Sequence, residues 1–120
     1  MKIKIVVAMI ALGGLCSFSN YESSSKKYNI IEEIQASDGE AIIKKQDCAT
    51  CHKVDKKVVG PSYLDIAKKY PMNDKNIKYI SDKIIKGGSG VWGPIPMSAH
   101  TALKKDDAKK IAIYILSLNK

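Results

Sequence analysis

The stretch Cys48-Ala49-Thr50-Cys51-His52 constrains this chain more than any other, because two cysteines three positions apart, followed at once by histidine, lend themselves to three uses. They could ligate a metal ion, cycle between dithiol and disulfide, or anchor a cofactor covalently. Each use demands a different setting, and the rest of the chain decides which setting is available.

A chain of 120 residues has room for one domain and one modest core. Its first 19 residues read as a secretory leader: Lys2 and Lys4 precede an apolar run over residues 5–15, and Ser17-Phe18-Ser19 offers small residues where a signal peptidase reads. That run is short of the roughly 20 residues that cross a bilayer, so cleavage after Ser19 is expected rather than a retained anchor. Cys16 raises the alternative of lipidation, although Gly13-Gly14-Leu15 matches a lipobox poorly. The expected localisation is therefore periplasmic or otherwise exported, with membrane attachment confined to an uncleaved or lipidated N-terminus.

Export leaves Cys48 and Cys51 in a compartment where free thiols are normally oxidised. A closed zinc site wants four ligands, and beyond the two cysteines only His52, His100 and carboxylates are on offer. His52 adjoins Cys51, which makes joint tetrahedral ligation awkward. A thioredoxin-like dithiol wants its cysteines at a helix start within alternating strands and helices. No strand pattern is present.

Ser37-Asp38-Gly39-Glu40 reads as a capping box opening a helix over about 37–47. A second helix is expected over 62–70, stopped by Pro71. A third starts from Asn73 or Asp74, carries Ile77, Ile80, Ile84 and Ile85, and ends at Gly87-Gly88. The last begins near Lys105, with Asp106 and Asp107 suiting the helix dipole, and has Ala108, Ile111, Ala112, Ile115 and Leu118 on one stripe.

The fold class is thus all-α, four short helices joined by loops rich in glycine and proline. Its apolar stripes supply roughly fifteen aliphatic side chains, marginal against the entropy of ordering about 90 residues. A large flat apolar cofactor would complete such a core. Cys-x-x-Cys-His is the pattern of covalent c-type haem attachment, in which one helical turn presents both thiols to the porphyrin vinyl groups and carries the histidine beneath the iron. On this reading Cys48 and Cys51 are anchors and His52 an axial ligand.

A thioether is the usual partner of histidine in electron-transfer haems and raises the potential. Met72 lies in the short link after Pro71 and reads as a gap filler. Met97 ends Gly93-Pro94-Ile95-Pro96-Met97, a loop whose prolines lower the entropy cost of presenting a weak ligand. Met97 is the expected sixth ligand. His100 is its rival, although a surface histidine before the last helix is the expected reading there.

These features together resemble a small class I bacterial cytochrome c over about residues 37–119. The likeness rests on Cys48-Ala49-Thr50-Cys51-His52-Lys53, Gly60-Pro61-Ser62-Tyr63, Ile85-Lys86-Gly87-Gly88, Trp92-Gly93, Pro96-Met97 and the closing Tyr114-Ile115-Leu116-Ser117-Leu118. The resemblance implies a cytochrome c fold around one covalent haem, with residues 37–120 as the domain. It implies that the Pro61 carbonyl orients His52, that Trp92 packs at the haem edge, and that the first and last helices cross near Gly39 and Tyr114. It also implies an electron carrier rather than an enzyme; a haem sensor with a dissociable methionine is the alternative.

Two further expectations concern the surroundings. Residues 20–36, rich in Ser, Lys and Glu, read as a flexible extension outside the family core. All 20 basic residues are lysine, against 12 acidic ones, for a net charge of +8. Without the planar arginine fork this is a poor nucleic-acid signature, and it fits steering of an acidic redox partner, with Lys53, Lys56 and Lys57 near the motif.

Overall fold

The computed structural model describes residues 19–119, with side chains from residue 25 onward. The expected leader, Cys16 included, lies outside the described residues except for Ser19, which begins the first helix. Four helices follow one another: α1 Ser19–Ile43, α2 Tyr63–Lys69, α3 Asp74–Lys86 and α4 Lys105–Ser117. A single 3-10 turn, Asp47–Thr50, sits between α1 and α2. Among the described residues there is no strand, only two isolated bridges, His52 with Lys57 and Gly88 with Met97.

Local chemistry accounts for the ends of α2 and α3. The Ser62 hydroxyl accepts from the Asp65 N–H at 3.0 Å and caps α2. Tyr70, forced into extended backbone ahead of Pro71, closes it. Asn73 Oδ1 accepts from the Asn76 N–H at 2.8 Å at the head of α3. Gly87 ends that helix at a φ of 67°. A side chain there would be strained and would also drive into the carbonyl of Met97.

α4 is the hub, packing against α1, α2 and α3. Ala108, Ile111, Ala112, Ile113, Ile115 and Leu116 are all buried, so it is apolar over most of its circumference. Ile43, Tyr63, Ile66, Ile77, Ile80 and Ile84 complete the core from the other elements.

Two expectations require correction. The first helix does not begin at Ser37 or reach residue 47; α1 runs continuously through the Ser37-Asp38-Gly39-Glu40 box and stops at Ile43. Residues 20–36, expected as a flexible extension, are helical as part of it. Residues 26–36 contain no glycine or proline and are rich in Lys, Glu, Gln and Ile, so nothing stops the helix upstream. A side-chain cap at Ser37 contributes about 1 kcal/mol, less than the ladder hydrogen bonds that continuation keeps.

The crossing of α1 and α4 depends on Gly39. A Cβ built there would drive into the Lys110 carbonyl oxygen and lie 2.9 Å from the Tyr114 Cβ, so the two helices meet almost backbone to backbone. Beside the crossing, Lys110 Nζ bonds Asp38 Oδ2 at 2.9 Å.

Candidate functional site

The helices leave a cavity of about 470 Å³, within the range of about 300–1,000 Å³ that binding sites occupy. Ile43, Ile66, Ile80, Ile84, Ile111 and Ile115 give it an aliphatic floor. Two loop regions complete it, residues 47–61 around the Cys-x-x-Cys-His motif and residues 87–100 around Met97.

The motif is wound tightly. Within and after the 3-10 turn, the Cys51 and His52 N–H groups both donate to the Cys48 carbonyl, at 3.2 and 2.9 Å. Cys48 and Cys51 are not joined in a disulfide, both are half-buried, and both line the cavity. Burial pushes the Cys48 thiol up from its ordinary value. That is opposite in sign to the lowered pKa that activates a redox dithiol. Among the described residues, no group of three or more His, Cys, Asp and Glu side chains converges to hold a metal ion.

His52 is fixed from three directions. Its Nδ1 donates to the Pro61 carbonyl oxygen at 2.7 Å, which leaves Nε2 with its lone pair available to a metal. Its ring lies almost parallel to that of Tyr63, centroids 5.7 Å apart. Gly60 packs against the imidazole so closely that a Cβ would intrude on the ring, 2.8 Å from Nδ1. The Gly60 N–H in turn donates to the Cys51 carbonyl at 2.9 Å, tying Gly60-Pro61 back to the motif.

The two methionines are separated by the fold. Met97 lines the cavity and is half-buried, its backbone paired with Gly88 through bonds of 2.8 and 3.1 Å. Met72 is not among the lining residues; it packs against the core and borders a smaller hollow with Glu32, Glu33 and Leu116. Trp92 lines the cavity as a 40% exposed residue, and Lys69 Nζ sits 4.7 Å from its ring centroid.

His100 departs from its expected role as a surface histidine. It lines the cavity, its side chain is 17% exposed, and its Nε2 lies 3.0 Å from Asp47 Oδ1. That hydrogen bond holds the Asp47 carboxyl below its ordinary range. Sequence reasoning passed over the pair because its members are 53 positions apart and neither belongs to a spacing motif. Among the described residues the buried Nδ1 of His100 and the buried hydroxyl of Tyr63 have no hydrogen-bond partner, two unsatisfied polar atoms at the cavity.

Apolar volume, two thiols one turn apart, an imidazole with a committed Nδ1 and orphaned polar atoms at the edge together fit a covalently attached haem. A cytochrome c family model matches residues 36–119. The chain belongs to the cytochrome c family. It is 47% identical over 77 residues to cytochrome c-552 of Nitrosomonas europaea, covering 64% of this cytochrome and 75% of that one. It is 36% identical over 118 residues to cytochrome c-552 of Hydrogenobacter thermophilus, covering 98% and 99%. The crystal structure of the wild-type Nitrosomonas europaea cytochrome c552 superposes with a TM-score of 0.63 at 45% identity, over 67% of this chain and 99% of that one.

The all-α fold expected from the sequence is thus the cytochrome c fold. As a class I monohaem c-type cytochrome, the protein carries one covalent haem c with its iron. Among the described residues no helix is long and apolar enough to cross a membrane.

Proposed function

We propose that this cytochrome c is a one-electron carrier between redox proteins outside the cytoplasm. Cys48 and Cys51 would anchor the haem, and His52 and Met97 would hold its iron. Residues 1–19 act as the export leader and residues 37–120 form the haem domain. The reading is carried by one observation: His52 and Met97 line the same cavity as both cysteines, whereas Met72 does not.

The haem supplies the redox couple, an iron that gains and loses one electron. The chain's own residues do the rest. Pro61 accepts the Nδ1 proton of His52, which fixes the ring orientation and makes Nε2 a better donor. Two prolines and the Gly88 bridge hold Met97 at the cavity with little freedom. With His52 and Met97 both holding the iron, no open position would be left for a substrate, and gaining or losing an electron would need little rearrangement of the chain. Trp92, which lines the same cavity, would pack against the haem.

The exposed lysines Lys53, Lys56 and Lys57 share one stretch of chain with exposed valines, Val54 at 45%, Val58 at 47% and Val59 at 44%. A partner with an acidic docking face is attracted there, and the association rate falls as salt screens the charges.

The experiment is the visible spectrum of haem-loaded protein, oxidised and reduced, with and without carbon monoxide. A weak far-red charge-transfer band in the oxidised form, abolished in Met97→Ala, is expected, with no carbon monoxide binding to the reduced form at neutral pH. Ready carbon monoxide binding would overturn the carrier reading in favour of a ligand-binding protein.

A further inference from the structure

The loop that carries Met97 is referred to the rest of the molecule in two ways. Its backbone is tied to the end of α3: Met97 pairs with Gly88, and the His100 N–H donates to the Ile84 carbonyl at 3.2 Å. Its one hydrogen bond to the segment carrying Cys48, Cys51 and His52, among the described residues, is the side-chain contact of His100 Nε2 with Asp47 Oδ1 at 3.0 Å. Asp47 immediately precedes Cys48 and opens the 3-10 turn that positions the first thiol.

The two ends of this contact are unequal. The His100 ring is largely buried at 17% exposure and its carbonyl accepts from the Leu103 N–H at 3.0 Å, so it has little room to move. Asp47 is 79% exposed. The bond needs no particular charge on the ring, because a neutral imidazole protonated at Nε2 and an imidazolium both donate there.

We propose that His100 is a positioning residue for Met97: by gripping Asp47 it sets the spacing between the methionine loop and the Cys48–His52 segment. The proposal rests on His52 and Met97 sharing one iron, as set out above. Backbone contacts to α3 alone fix the loop relative to a helix that bears neither thiol nor His52. The His100–Asp47 bond closes the remaining side of the frame, so that the thioether does not have to hold the two segments together by itself. A weak ligand is the one most easily lost when its loop can drift.

The test measures how readily added imidazole displaces the sulfur in the oxidised, haem-loaded protein, followed by loss of the far-red band. Asp47→Ala is the deciding variant, because the carboxylate is exposed and its removal leaves the core untouched. It is expected to bind imidazole about fivefold more tightly, in keeping with the modest coupling of an exposed pair. His100→Ala should do at least as much, and the double variant should add nothing beyond His100→Ala. Unfolding followed by helical circular dichroism should move less than loss of the band. Unchanged imidazole affinity in Asp47→Ala, or additive effects in the double variant, overturns the positioning role while the axial assignment stands. A parent protein without the far-red band removes the axial assignment, and this role with it.

Discussion

Replacing Gly39 by alanine sets two known effects against each other. In a helix interior alanine is favoured over glycine by about 1 kcal/mol, so on propensity alone the change stabilises α1. The new Cβ, however, would lie 2.6 Å from the Lys110 carbonyl carbon and 2.9 Å from the Tyr114 Cβ, besides driving into the Lys110 oxygen. Carbon atoms pack at about 3.5–4.0 Å, so α1 and α4 must part by roughly 1 Å. Because two of the obstacles are backbone atoms, no rotamer change relieves them, and overpacking costs about 3 kcal/mol, the upper end of its usual range. About 2 kcal/mol of net destabilisation remains, which lowers Tm by about 8–16 °C for a domain of this size. Thermal unfolding of the haem-loaded protein, followed by helical circular dichroism, reads this directly. Ser37→Ala is the matched control: within a continuous α1 it is neutral or stabilising by a few tenths of a kcal/mol, whereas at a true N-cap it would cost about 1 kcal/mol. A Gly39→Ala protein that melts at or above the parent temperature would refute the backbone-to-backbone crossing.

Gly60→Ala should cost about 1–3 kcal/mol by pushing on the His52 ring, and should raise the midpoint potential by loosening the bond to Pro61; an unchanged potential in a redox titration counts against the Gly60 contact. Ser62→Ala removes a buried cap from α2 and should cost about 1–2 kcal/mol in denaturant unfolding, with a loss below a few tenths showing that Asp65 finds another partner. Burial and the neighbouring Tyr79 hydroxyl push the Tyr70 phenol up to about 12. The stability this group contributes is therefore complete below its unfolded value near 10 and declines as pH climbs from about 10 to about 12. Tyr70→Phe should lose stability less steeply over that window than the parent, and superimposable alkaline limbs would show that the group does not titrate there.

Helices α2 and α3 were readable because each has a start and a stop written beside it: Ser62 before Tyr63 and Pro71 after Tyr70, Asn73 before Asp74 and Gly87 after Lys86. α4 was readable from its apolar stripe and from Asp106 and Asp107 in its first turn, although Lys104 provides no side-chain cap. α1 misled because a capping box is a local preference, and it yields to an uninterrupted run of helix formers upstream that carries no stop signal. The cavity was legible indirectly, from a core too thin for the chain, and directly, from Cys48, Cys51 and His52. The Gly39–Tyr114 crossing came through resemblance and could not come from periodicity, because a glycine in a helix looks the same whether or not another backbone lies against it. The His100–Asp47 bond had no sequence signal, as it joins two loops that only the folded chain brings together.

The unbroken course of α1 changes what lies upstream of the haem domain. Eighteen residues from Ser19 to Ala36 make a rod of about 27 Å at 1.5 Å per residue, whereas the same stretch as flexible coil would have a root-mean-square span of about 23 Å. The two differ little in reach and greatly in direction. A coil lets the domain swing through every orientation around its point of attachment. A rod continuous with the helix that crosses α4 at Gly39 makes the direction of the N-terminus a fixed property of the folded domain. The stretch from Ser19 to Ala36 is thereby a stiff arm whose heading is set where Gly39 meets α4, rather than a loose tether.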